Sequence, residues 1–81
     1  MSSKLRTNDD VRQLMALGRA IRSIRLAHDT SQEALAQLAD IDRSHMGKIE
    51  RGERNVTALN LFRIAQALGV KPSEIMSGAG L

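Results

Sequence analysis

Five residues within one short stretch, Arg43, Ser44, Gly47, Lys48 and Arg51, offer directional chemistry together. At ~100° per residue they share one helical arc of roughly 140°, with Met46 and Ile49 on the opposite side. A guanidinium or an ammonium can donate to guanine O6 and N7, and a hydroxyl suits either base type. Gly47, in the middle of the arc, removes bulk, so the helix axis can lie close to whatever surface it reads. This is the chemistry of hydrogen-bond readout, not of bond making. Cysteine is absent, which removes disulfides, haem attachment and thiolate chemistry. There is no metal-ligand spacing and no phosphate-cradling glycine loop, and the two histidines are isolated. No enzyme activity, cofactor or small-molecule ligand is expected.

A helix of this kind needs a second one to hold it. Gln32–Ala39 supplies it, with Leu35 and Leu38 expected inward and Glu33 and Gln37 outward. Thr30 or Ser31 caps that helix, with Glu33 placed for a capping box on Thr30. Its alanines at 34, 36 and 39 let a neighbouring helix approach closely. Asp40-Ile41-Asp42 is the turn. Asp40 adopts a left-handed conformation, Ile41 plugs the core and Asp42 caps the third helix, expected over Arg43–Arg51. Gly52 suits a left-handed cap at its end. The whole spans 32–51 as a helix-turn-helix. Ser31 and Gln32, at the start of the second helix, aim free N–H groups at a phosphate. Arg51 and the Arg54-Asn55 loop grip a second phosphate run, and Arg22 joins this phosphate-contacting set. Such contacts fix register, while the third helix reads.

The remaining chain frames this motif. Residues 1–10 read as a flexible arm, in which Lys4 and Arg6 are solvated, with Asp9 and Asp10 suiting a helix start. From Val11 to about His28, Leu14, Leu17, Ile21 and Ile24 share one helical face. His28 on that face is expected to be partly buried. Arg25 also faces the core and therefore needs a carboxylate; Glu50, at the edge of the third helix's core face, is the natural partner. A fourth helix runs from Thr57 to Leu68 and stops at Gly69, with Leu61, Ile64, Ala65 and Leu68 as its core stripe. Leu59 and Phe62 project from another side, more apolar surface than a monomer needs unless the C-terminal tail covers it. Pro72 opens a short fifth helix, Ser73 to Met76, offering Ile75 and Met76, and 77–81 are expected to be a flexible tail.

Composition agrees with one small all-α domain over 11–76. Its core is aliphatic, since Phe62 is the only aromatic among 81 residues. Twelve Lys+Arg against nine Asp+Glu give a net charge of +3, compatible with nucleic acid without demanding it. No run approaches the ~20 apolar residues of a membrane span, and the N-terminus lacks an apolar signal region. A soluble cytoplasmic protein is expected.

The run SQEALAQLADIDRSHMGKIERGER resembles the helix-turn-helix of the Cro/C1-type, or xenobiotic-response-element, regulators. The likeness extends from about Leu17 to Met76, through IRSIR before the motif and LFRIAQALGVKPSEIM after it. The IERGERNVT run is similar to that of the controller proteins of restriction–modification systems. The resemblance implies an all-α, five-helix, lambda-repressor-like fold and a homodimer on a near-palindromic double-stranded DNA operator. It implies base reading by Arg43, Ser44 and Lys48, with His45 and Gly47 flanking, and a phosphate contact from Gln32. It also implies a buried Arg25–Glu50 pair and dimerisation through the last two helices, at Leu59, Phe62, Ile75 and Met76. Asp29 and Asp40 depart from the usual glycines of two turns, and His45 stands where an aromatic is frequent. An antitoxin or other protein-interaction module and a phage-type repressor are the alternatives on the same fold.

Overall fold

In the computed structural model, which describes residues 7–81, five helices follow in order: α1 Asn8–Ala27, α2 Gln32–Ala39, α3 Arg43–Glu50, α4 Ala58–Leu68 and α5 Pro72–Gly78. The all-α class and the helix-turn-helix of α2 and α3 are as expected. Lys4 and Arg6 lie outside the described residues.

Most helix N-termini are set by side chains of the sequence. Thr7 caps α1 reciprocally with Asp10: Asp10 N–H donates to Thr7 Oγ1 at 3.1 Å, and Thr7 N–H donates to Asp10 Oδ2 at 3.2 Å. The helix therefore begins three residues before Val11. Ser31, rather than Thr30, caps α2 by accepting from Ala34 N–H at 3.0 Å. Thr30 Oγ1 instead donates to the carbonyl of His28, so the box with Glu33 does not form. Thr57 caps α4. Asp40 takes the left-handed conformation, φ 57° and ψ 45°, and Asp29 also has positive φ, 52°. Aspartate tolerates this region better than most residues.

The core is drawn from all five helices: Leu17, Ala20 and Ile21 of α1, Leu35, Ala36 and Ala39 of α2, Ile41 of the turn, Met46 and Ile49 of α3, Ile64, Ala65 and Leu68 of α4, and Ile75 of α5. Four expectations are corrected. Leu38 is 66% exposed, because Leu35, Ala36 and Ala39 set the inward direction of α2 and Leu38 lies ~105° from it. Ile75 is completely buried, since α5 packs across α1 and α4. His28 is exposed at the C-terminal cap of α1, where the chain turns off at Asp29. α5 runs two residues past its expected end at Met76, to Gly78, and Leu81 N–H donates to Met76 O at 2.9 Å.

Candidate nucleic-acid interface

α3 is clamped at its C-terminal half and open at its N-terminal half. The clamp is a backbone-to-backbone approach. A Cβ on Gly18 would overlap the carbonyl oxygens of Ile49 and Glu50, so only glycine lets α1 lie against the end of α3. A Cβ on Gly52 would in turn come 2.7 Å from Met15 Cγ, and Gly52 has the positive φ, 75°, that glycine adopts freely. Neither contact was anticipated from sequence. The signal available was Gly18 itself, a helix-interior glycine that costs about 1 kcal/mol relative to alanine unless packing requires it.

Beside this approach Arg25 and Glu50 form a buried, two-pronged ion pair. Arg25 Nε donates to Glu50 Oε2 at 2.8 Å, and Arg25 Nη2 donates to Oε1 at 3.0 Å. The residues are 7% and 6% exposed. Arg25 Nη1 donates to Thr30 O at 3.0 Å, tying the loop between α1 and α2 to the pair. Gln32 Nε2 completes the set, donating to Glu50 Oε1 at 3.0 Å. Hydrogen bonding to Glu50 raises the already high pKa of Arg25, against the opposing effect of burial.

At the open end, Asp42 Oδ2 accepts from the backbone N–H of Ser44 at 3.1 Å and of His45 at 3.3 Å. These bonds, that from His45 foremost, hold the Asp42 carboxyl below the ordinary aspartate value. Arg43 and Ser44 are exposed and Lys48 half-buried. With Gln32, Asp42, Gly47 and Arg51 they line an open depression of about 420 Å³. Gly47 forms its floor: a Cβ there would sit 3.1 Å from Arg51 Nη1 and 3.3 Å from Gln32 Oε1.

His45 does not line this depression. Its Nε2 is buried and makes no hydrogen bond. At ~200° around the helix from Arg43 it falls outside the arc shared by Arg43, Ser44, Gly47, Lys48 and Arg51. Ser31 spends its hydroxyl on the α2 cap. The Gln32 amide faces Glu50 as well as the depression. Arg51 is exposed and Nε donates to Glu53 Oε2 at 3.1 Å, so its charge is partly offset. Arg22, Arg54 and Asn55 are exposed. Leu59 and Phe62 are 56% and 54% exposed on α4, and Met76 is half-buried against the core. Buried Ile75 cannot join them on a surface.

A helix-turn-helix family model matches residues 21–75. The chain belongs to the helix-turn-helix family. It is 41% identical over 63 residues to control protein C.BamHI of Bacillus amyloliquefaciens, covering 76% of this chain and 78% of that one. It is 35% identical over 72 residues to control protein C.SmaI of Serratia marcescens, covering 89% and 83%. The crystal structure of the restriction-modification controller protein C.AhdI from Aeromonas hydrophila superposes with a TM-score of 0.76 at 44% identity, covering 76% of this chain and 94% of that one. The fold is thus that of a Cro/C1-type DNA-binding transcriptional regulator. Among the described residues no group of His, Asp and Glu is placed to hold a metal ion, and no helix is long and apolar enough to cross a membrane.

Proposed function

We propose that this protein is the controller of a restriction–modification system, acting in the cytoplasm as a homodimer on a near-palindromic operator. The observation that carries the reading is the open end of α3, where Arg43, Ser44 and Lys48 stand over the Gly47 floor while the rest of the helix is held from behind. The similarity to control proteins supports the controller role. Arg43 and Lys48 donate to guanine edges and Ser44 to either base type. Arg51, Arg54, Asn55 and Arg22, together with the N–H groups behind Ser31 at the start of α2, hold phosphates. Leu59 and Phe62, with Met76 at their margin, form the contact between copies. Two such copies set their α3 helices in successive major grooves about 34 Å apart.

Selection of bound duplexes from a random pool tests this. Enriched half-sites one helical turn apart are expected, with binding that weakens steeply as salt rises. No sequence preference at moderate salt would refute the reading. Arg43→Ala should relax preference at one position per half-site and cost ~1–3 kcal/mol there. Arg51→Ala should weaken all duplexes alike; a changed base preference in that variant would show the division of roles to be wrong.

A further inference from the structure

The buried pair does more than join α1 to α3. Glu50 Oε1 accepts from Arg25 Nη2 and also from Gln32 Nε2, each at 3.0 Å. A carboxylate only accepts, so the Gln32 amide must turn its nitrogen toward Glu50 and its oxygen elsewhere. That nitrogen carries two hydrogens that point in different directions. One is spent on Glu50, and the second is left to donate. Gln32 is half-buried, and its amide borders the open depression shared with Arg43, Lys48 and Arg51.

A phosphate oxygen only accepts, so a donor held at this edge suits the DNA backbone. An unanchored glutamine gives up rotamer freedom when it grips a phosphate. One already bonded to a buried carboxylate has given it up on folding. Glu50 is 6% exposed and Arg25 7%, and the guanidinium offsets the carboxylate, so an anion outside is not repelled. Arg25 acts on the main chain at the same place. Its Nη1 donates to Thr30 O at 3.0 Å, one residue before the Ser31 cap, whose Oγ accepts from Ala34 N–H. The backbone N–H of Gln32, in the first turn, has no partner within the helix.

Building on the DNA-binding function above, we propose that Glu50 is a positioning residue for the backbone grip. Acting through Gln32, it aims the second amide hydrogen at one phosphate of each half-site, while Arg25 holds the loop that leads into α2. The carboxylate that fastens α3 to the core thereby also helps fix the register in which α3 is set on DNA.

The test uses the duplex preferred by the intact protein, with a neutral methylphosphonate replacing each phosphate in turn. The wild type should lose about tenfold in affinity at each contacted linkage. Gln32→Ala should bind the unmodified duplex about tenfold more weakly and be indifferent to the methylphosphonate at one linkage per half-site. Glu50→Gln, assayed below its own melting temperature, should be indifferent at that same linkage. It should keep both the loss at the linkage that Arg51→Ala identifies and the base preference at the Arg43 position, a pattern that general loosening of the fold does not produce. A second measurement needs only the folded wild type: nuclear magnetic resonance of the Gln32 side-chain amide, assigned by its absence from Gln32→Ala. Adding duplex should shift one Nε2 hydrogen and leave the Glu50-bonded one in place. The proposal falls if the bonded hydrogen is released on binding, if Glu50→Gln keeps the full loss at the Gln32 linkage, or if Gln32→Ala is indifferent at no linkage; in each case the DNA-binding function stands. A wild type without any base preference overturns that function as well and is recognised before any variant is made.

Discussion

Replacing Arg25 with alanine should come close to unfolding this domain. The substitution leaves the Glu50 carboxylate, in a residue 6% exposed, with a single hydrogen bond from Gln32 in place of three. Stranding one charge of a buried pair costs ~3–5 kcal/mol. A domain of this size has a total stability of roughly 4–12 kcal/mol, so a quarter or more of it is at stake. Each kcal/mol shifts the melting temperature of a 60–100-residue domain by about 4–8 °C, giving a fall on the order of 12–40 °C. Thermal melting followed by far-ultraviolet circular dichroism reads this directly. One further feature separates a buried charge from a surface one. The deficit should persist at high salt, because screening hardly reaches a buried group. A loss of only a degree or two, or one that vanishes with added salt, would refute the argument.

Gly18→Ala should lower stability by ~1–3 kcal/mol, although the same change in an open helix raises it, because α1 must back away from the Ile49 and Glu50 carbonyls; an unchanged or higher melting temperature would contradict the packing described. Leu59→Lys combined with Phe62→Lys should sediment as a monomer and bind its operator more weakly, and an unchanged dimer would move the contact to another face. Asp42 has a lowered folded pKa, so its contribution is full above the ordinary aspartate value of about 3.9 and is lost as pH falls through the lower folded value. Asp42→Asn, which caps nearly as well when the acid is ionised, should melt close to wild type at neutral pH and lose less stability on acidification; superimposable acid profiles would show that the cap does not titrate.

The motif was legible because its signals are local. Ser31, Asp42 and Thr57 are capping residues standing immediately before helices, and Asp40 occupies a turn that needs positive φ. The α1 start was missed by a few residues because Thr7 and Asp10 close their box with aspartate where glutamate or glutamine is usual. The other misplacements share a different cause: the inward direction of a short helix is decided by its neighbours. On α2, of eight residues, the alanines pointed inward and Leu38 was left outside. On α5 the expected surface residue Ile75 was wholly enclosed by α1 and α4. Gly18 and the Gln32–Glu50 hydrogen bond depend on residues 18 or more positions apart meeting in space, and no periodicity reports them.

The division of α3 into a held end and an open end follows from where its few non-apolar attachments lie. Gly18, Arg25 and Gln32 all converge on Glu50, the last residue of the helix, while Asp42 is the polar tie at its start. A helix anchored at its C-terminus and capped at its N-terminus can present Arg43 and Ser44 to a groove without loosening its grip on the core. Loss of the Asp42 cap should fray Arg43 and Ser44 first; loss of Arg25 or Gly18 should dislodge the helix as a body. α1 adds one more hold, since Met15 lies against Gly52 at the exit of α3, in a part of the chain preceding residues 21–75 of the family match. The N-terminal half of α1 therefore bears on Gly52, so removing α1 through Met15 should disturb the loop that follows α3 before it disturbs the helix itself.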